Sequence, residues 1–155
     1  MKTWADITNI QPKVGRILVN SIEKERLSHA YLIVGNKGTG KRAIALQLAK
    51  TILCEEKKNA EPCHQCVVCK RIESRNYPDV YWVEPTEKGS ILNEQIDELQ
   101  KEFVYSSLEA KEKVYIITHG DRLTVNAANR LLKVLEDPNQ RATAIILTEN
   151  LQSII

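Results

Sequence analysis

A glycine-rich segment, GNKGTGKR at positions 35–42, lies between an apolar run and a helix-forming stretch. The run before it, AYLIV at 30–34, is typical of a buried strand, and residues 41–53 are rich in Ala, Leu and Ile. The glycines of segment 35–42 allow successive backbone N–H groups to point at one oxyanion. The positive end of the following helix adds to the positive potential there. The segment therefore predicts a phosphate-binding loop between a strand and a helix. A glycine-rich turn that binds nothing is the alternative.

The loop follows the spacing G-x-x-x-x-G-K-[ST] until its last position, where an arginine stands in place of the small hydroxyl residue. Lys41 is predicted to reach the outer phosphates of a nucleotide, whereas Arg42 cannot ligate a magnesium ion. The predicted nucleotide-contacting residues of the loop are Gly35, Gly38, Thr39, Gly40, Lys41 and Arg42.

Strand-like runs and helical patterns alternate along the chain. Strands are predicted at 30–34, 79–85, 113–118 and 142–148, and helices at 11–24, 41–53, 94–105 and 125–136. This alternation predicts an α/β fold in which a parallel sheet is sandwiched between helices, with strand 30–34 buried on both faces. Ligands of such sheets bind at the carboxyl ends of the strands, where Gly35, Thr118 and Thr148 lie.

The strand at 113–118 lacks the acidic residues that phosphoryl transfer requires. Its end reads Thr118-His119-Gly120, where a magnesium-binding carboxylate is needed. Asp121 follows in the loop and could be recruited, although the strand-end geometry argues against it. Because Arg42 also removes a magnesium ligand, we expect a site that does not hydrolyse ATP. Whether nucleotide still binds stays open, since Lys41 and the loop backbone are retained.

Four cysteines lie close together, at positions 54, 63, 66 and 69. Four thiolates suit tetrahedral zinc and leave no open position, which predicts a structural metal site. An iron–sulfur cluster is the rival, but the ferredoxin run needs a further Cys followed by Pro, and position 73 is Glu. His64 is expected to be solvated because the thiols suffice, and residues 55–61 are expected to form a solvated face. Trp4 and Trp82 are expected to pack in the interior.

The composition of the 155 residues is that of a globular protein, with a net charge of +2. This charge gives no overall attraction to nucleic acid or membrane. No apolar run approaches the roughly 20 residues of a membrane span, and no signal-peptide core is visible. A cytoplasmic location is therefore expected, where thiols stay reduced and clustered cysteines bind metal.

Several segments together resemble a known family. SHAYLIVGNKGTGKR, the four-cysteine insert, RIESRNYPDV, KVYIITHGDRLT and NAANRLLKVLEDP occur in the order seen in bacterial clamp-loader AAA+ subunits. Among these the chain is similar to the delta-prime family of the DNA polymerase III holoenzyme rather than to the gamma/tau motors. The motors keep Ser or Thr after the loop lysine and an Asp-Glu pair at the end of the third strand, and this chain keeps neither.

The resemblance implies a pentameric loader that places the sliding clamp on primed DNA, with gamma/tau and delta as partners and no membrane. Residues 1–155 would be one AAA+ domain with a zinc insert at 54–69, incomplete because the arginine-finger motif, lid and collar lie outside it. The chain is expected to have no ATPase activity of its own, although it would be part of the polymerase holoenzyme. Thr148 would match the sensor position, and Arg130 and Lys133 could contact DNA phosphates. The alternatives are an active gamma/tau-type ATPase and a binding module in which zinc contacts DNA or a partner.

Overall fold

The computed structural model describes residues 3–24, 30–36, 38, 40–105, 112–136 and 142–149, without the side chains at 99–100, 102–105 and 134–135. The chain divides into two compact units. One comprises residues 1–28 and 42–77, and the other comprises residues 29–41 and 78–155. None of the helices in the described ranges has the length and apolar character needed to cross a membrane.

The second unit contains a parallel sheet. Its strands are β1 (Ala30–Val34), β2 (Val80–Val83), β3 (Lys113–Ile117) and β4 (Ala142–Thr148), in the spatial order β1-β4-β3-β2. Each neighbouring pair is parallel. Parallel neighbours need crossover connections, which explains why helical segments separate these strands in the sequence. The predicted α/β fold with a parallel sheet and helices is confirmed.

The helices occupy nearly the predicted ranges. They are α1 (Trp4–Ile10), α2 (Pro12–Glu23), α3 (Lys41–Leu53), α4 (Val67–Glu73), α5 (Asn93–Tyr105) and α6 (Val125–Glu136). Two of them, α1 and α4, were not predicted. Both have seven residues, which is too short for a periodic apolar pattern to stand out.

The sheet core is densest around β3 and β4. Val114, Tyr115, Ile116 and Ile117 are fully buried, so both faces of β3 are covered. On one face Tyr115 and Ile117 pack in a cluster with Ile96, Ala127 and Leu131. The helices α5 and α6 therefore supply apolar side chains to this face.

The prediction that β1 is buried on both faces is wrong. Ile33 is buried, but Leu32 and Val34 are 42% and 48% exposed. Successive side chains of a strand point to opposite faces, so Leu32 and Val34 share the face opposite to Ile33. In the part of the chain that the structure describes, β1 lies at an edge of the sheet, and its second face is only partly covered.

In the first unit, α1 and α2 form a close pair of helices. Thr3 and Asp6 make a reciprocal capping box at the start of α1, and Pro12 opens α2, where a missing N–H costs nothing. The backbone of α2 approaches α1 at Gly15. A Cβ at that position would lie 2.2 Å from Thr8 Oγ1 and 2.8 Å from Thr8 Cα.

Gly15→Ala is therefore expected to destabilise the protein by about 1–3 kcal/mol, as overpacking does. Alanine in a helix interior otherwise stabilises relative to glycine, so the sign of the change is diagnostic. Since one of the close atoms belongs to the Thr8 backbone, a rotamer change of Thr8 cannot relieve the contact. Urea unfolding measures the effect, with the exposed Asn20→Ala on α2 as the control. Equal or greater stability of Gly15→Ala would contradict the packing described here.

Candidate functional site

The glycine loop has the backbone conformation that its sequence predicts. Gly38 and Gly40 have φ values of +87° and +84°, in the region that favours glycine. An added Cβ at either position would have no neighbour within 4 Å in the described structure, so conformation rather than space requires glycine there. The Lys41 ammonium donates to the backbone carbonyls of Gly35 and Asn36. Thr39 lies outside the described residues.

The ends of the strands meet beside this loop, as predicted. The Gly35 N–H donates to the Thr148 carbonyl at 3.0 Å, and the Thr118 N–H donates to the Val83 carbonyl at 3.1 Å. Thr118 and Thr148 are both buried. Gly35, Thr118 and Thr148 therefore lie together at the carboxyl ends of the strands.

The end of β3 presents a hydroxyl and an imidazole rather than carboxylates. Thr118 Oγ1 and His119 Nδ1 share a hydrogen bond of 2.9 Å. The next acidic residue, Asp121, lies in a 3-10 turn, and its carboxylate is 3.8 Å from Arg122 Nε. A buried threonine cannot replace the acidic magnesium ligand, and Asp121 is placed beside a cation instead. The nucleotide-binding role of the loop residues, of Arg42 and of Thr148 stays a prediction.

The four cysteines of the first unit come together in space. Their sulfur atoms all lie within 4.8 Å of one another, and Cys54 Sγ and Cys63 Sγ are 3.7 Å apart. Cys54 follows the last residue of α3, whereas Cys66 caps α4 and Cys69 lies in its first turn. Two helix ends and the chain between them thus bring the sulfurs together.

Backbone N–H groups point at these sulfurs. Cys63 Sγ accepts from the backbone N–H of Gln65 at 3.4 Å and of Cys66 at 3.2 Å. Those bonds lower the pKa of the Cys63 thiol to about 7. Burial raises the pKa of Cys66 and of Cys69. Of Cys63, Cys66 and Cys69, the partly exposed Cys63 therefore has the lowest pKa.

This donor set fits a tetrahedral metal ion. Zinc–sulfur bonds of about 2.3 Å place the corners of a tetrahedron about 3.8 Å apart, close to the separation of Cys54 and Cys63. The other sulfur atoms, which lie within 4.8 Å of one another, would have to approach by at most about 1 Å to reach this separation. Cys54, Cys63, Cys66 and Cys69 could therefore hold a metal ion.

The expectation that His64 is solvated is wrong, and so is part of the expectation for residues 55–61. The side chain of His64 is only 10% exposed. Its Nδ1 lies 3.3 Å from Lys50 Nζ, and its Nε2 contacts Glu61 Oε2. Residues 55–59 are exposed, but Ala60 is buried. Trp4 is buried, as predicted.

Comparison with known proteins identifies the family. A family model described as DNA polymerase III, delta subunit, matches residues 10–155. The chain belongs to the DNA polymerase III delta subunit family. Within it, the chain is 51% identical over 99% of its length to DNA polymerase III subunit delta' of Bacillus subtilis, of which it covers 46%. The chain thus spans about half the length of this curated relative.

Other subunits of DNA polymerase III are less similar to this member of the delta subunit family. Subunit tau of Bacillus subtilis is 32% identical over 89% of the chain, which covers 24% of tau. Subunit tau/gamma of Haemophilus influenzae is 33% identical over 99% of the chain, which covers 22% of that relative. A crystal structure of a gamma subunit-related protein from Thermotoga maritima matches 89% of the chain and 41% of its own length, with a TM-score of 0.62 and 21% identity. It shows the shared fold.

Proposed function

We propose that this chain belongs to a non-catalytic, delta-prime-type subunit of the DNA polymerase III clamp loader. The observation that carries the proposal is that neither the loop nor the carboxyl end of β3 provides the expected magnesium ligands. Arg42 follows the loop lysine, and Thr118 and His119 occupy the end of β3. Identity supports the same assignment, at 51% to a delta' subunit against 32% to tau from the same organism.

The retained parts of the loop support nucleotide binding without turnover. The left-handed glycines present the backbone for an anion, and Lys41 can turn from the Gly35 and Asn36 carbonyls towards a phosphate. Hydrolysis also needs a divalent cation to neutralise developing charge. Residues 1–155 would form the AAA+ domain of this subunit, with residues 54–69 as its insert.

We infer that the four cysteines hold a structural zinc ion. Four thiolates complete a tetrahedral shell, so no position is left for water or substrate. The expected partners are the gamma/tau and delta subunits, with the sliding clamp and primed DNA reached through the assembled complex in the cytoplasm. Arg130 is already engaged with Asp97 at 3.0 Å, and Lys133 is exposed. A direct DNA contact by these two residues would have to break or share that ion pair.

The decisive measurement is phosphate release from ATP by the purified protein, with and without magnesium. We expect release at the level of the blank in both conditions, because the cation has no ligands at the loop or at β3. The matched comparison is a gamma/tau subunit from the same organism, which supplies the positive signal. Steady magnesium-dependent release that disappears in Lys41→Ala would contradict the proposal and favour an active ATPase.

The assembly role is tested with the natural full-length protein mixed with its gamma/tau and delta subunits. Co-elution as one complex that loads the sliding clamp, with Lys41→Ala unchanged, is the expected result. Failure to co-elute, or loading that depends on Lys41, would argue against a bracing subunit without catalysis.

A further inference from the structure

One face of α3 carries polar residues that the predicted metal and nucleotide sites do not use. Gln47, Lys50 and Thr51 are each at most 1% exposed, and Cys54 follows them at helical spacing. Polar groups this deeply buried need partners. Their side chains contact residues of the cysteine segment, of α4 and of the start of α1.

Lys50 and His64 connect the cysteine segment to α3 and α4. The Lys50 ammonium donates to Glu73 Oε2 at 2.7 Å and lies 3.3 Å from His64 Nδ1. Because an ammonium group only donates, Nδ1 must accept and the ring proton must sit on Nε2. There it is donated to Glu61 Oε2. The ring of His64, the residue after Cys63, thus bridges a buried cation and a carboxylate.

Glu61 and its neighbour then hold the first turn of α1. Glu61 accepts hydrogen bonds from the Trp4 backbone N–H at 2.9 Å and from Gln47 Nε2 at 2.8 Å. The Trp4 indole N–H donates to the Ala60 carbonyl at 3.0 Å and to Thr51 Oγ1 at 3.1 Å. Both N–H groups of Trp4 therefore depend on residues just before Cys63.

The backbone conformation at His64 indicates that its side chain helps to stabilise this turn. Its φ is +62°, in the left-handed region where glycine has no penalty. The turn directs the N–H groups of Gln65 and Cys66 to Cys63 Sγ. A histidine here gives the same turn at a conformational cost, which its contacts to Lys50 and Glu61 offset.

We propose that metal binding by the four cysteines is coupled to the docking of α1, through His64, Glu61 and Trp4. The inference rests on the metal site proposed above. Residues 55–59 are exposed and provide no apolar anchor, so Cys63 and this network help to position residues 60–64, together with the buried Ala60 and Pro62. Holding Cys63 in a metal shell holds the acceptors of Trp4 in place. By reciprocity, a docked α1 strengthens metal binding.

The test uses the whole chain carrying Trp82→Phe, which leaves Trp4 as its single tryptophan. Removing zinc with a chelator is expected to increase acrylamide quenching of Trp4. Hydrogen exchange of the amides at 4–10 should rise about 10-fold or more, while the amides of β3 stay protected and report that the sheet is folded. Metal analysis before and after chelation shows whether zinc was bound.

The variants are Glu61→Ala and His64→Gly, the latter chosen because glycine suits the backbone at that position. Each is expected to weaken zinc binding about 10- to 100-fold, as loss of groups that orient metal ligands does, and to expose Trp4 with zinc present. Glu56→Ala, an exposed carboxylate of the same loop, should change affinity by no more than about twofold. Zinc that binds and leaves without altering Trp4 or the exchange of residues 4–10 would overturn the coupling alone. A chain that binds no metal would overturn the metal site as well.

Discussion

Cys66→Ser is expected to abolish stoichiometric metal binding, from about one zinc per chain to almost none. Serine is a good helix N-cap, so it preserves the capping role of Cys66 in α4 and removes only the thiolate. A ligand present at a thousand times its Kd stabilises the native state by about 4 kcal/mol. We therefore expect the zinc-loaded protein to exceed the variant in unfolding free energy by about that amount. Metal analysis and urea unfolding measure the two effects.

The controls separate metal binding from local packing. Val67→Ser changes an exposed neighbour of Cys66 and should leave both metal content and stability unchanged. A chelator should bring the natural protein to the stability of Cys66→Ser and should not affect the variant. Retention of equimolar zinc by the variant would remove Cys66 from the ligand set, and iron with labile sulfide in the natural protein would replace zinc by a cluster.

Lys50→Ala is expected to lower the unfolding free energy by about 2–4 kcal/mol. Loss of one partner of a buried ion pair costs about 3–5 kcal/mol, and truncating the buried stem adds a cavity. The Glu73 side chain is 36% exposed, so water can solvate the carboxylate that is left and reduce the cost. Urea unfolding with saturating zinc measures the change. Lys50→Met, which keeps most of the volume, should lose less.

The pH dependence identifies the ion pair as the cause. Burial acts to raise the pKa of Glu73, but the hydrogen bond and the charge of Lys50 outweigh it, so that the pKa lies below its usual 4.5. A lowered carboxyl pKa stabilises the native state above the unfolded pKa, and this contribution is lost as the pH falls through the folded pKa. The difference between the natural protein and Lys50→Ala should be full at about pH 7 and should shrink below about pH 4. Lys70→Ala, on the exposed side of α4, should differ from the natural protein by less than about 0.5 kcal/mol at any pH. A pH-independent loss in Lys50→Ala would assign the effect to packing alone.

Local patterns were sufficient for the longer elements. The ranges of α3, α6 and β4 follow from their apolar spacing, and the observed bounds agree with the prediction. The short α4 was not predicted because its start depends on the Cys66 sulfur as a cap, which no propensity scale contains. The exposure of Leu32 and Val34 on β1 was not predicted either, since an apolar run does not reveal whether a strand is covered on both faces.

The amino-acid pattern alone was enough to indicate the sheet, the glycine loop, the missing magnesium ligands and the set of four cysteines. Each depends on neighbours in sequence or on simple helix and strand periods. The buried surroundings of the cysteines depend on packing between distant segments instead. Trp4 and Glu61 are 57 positions apart, and Trp4 and Thr51 are 47 apart. The burial of Lys50 against Glu73 and His64 also depends on these distant segments. Long-range contacts of this kind have no local signature, because burial depends on which surfaces the rest of the chain brings together.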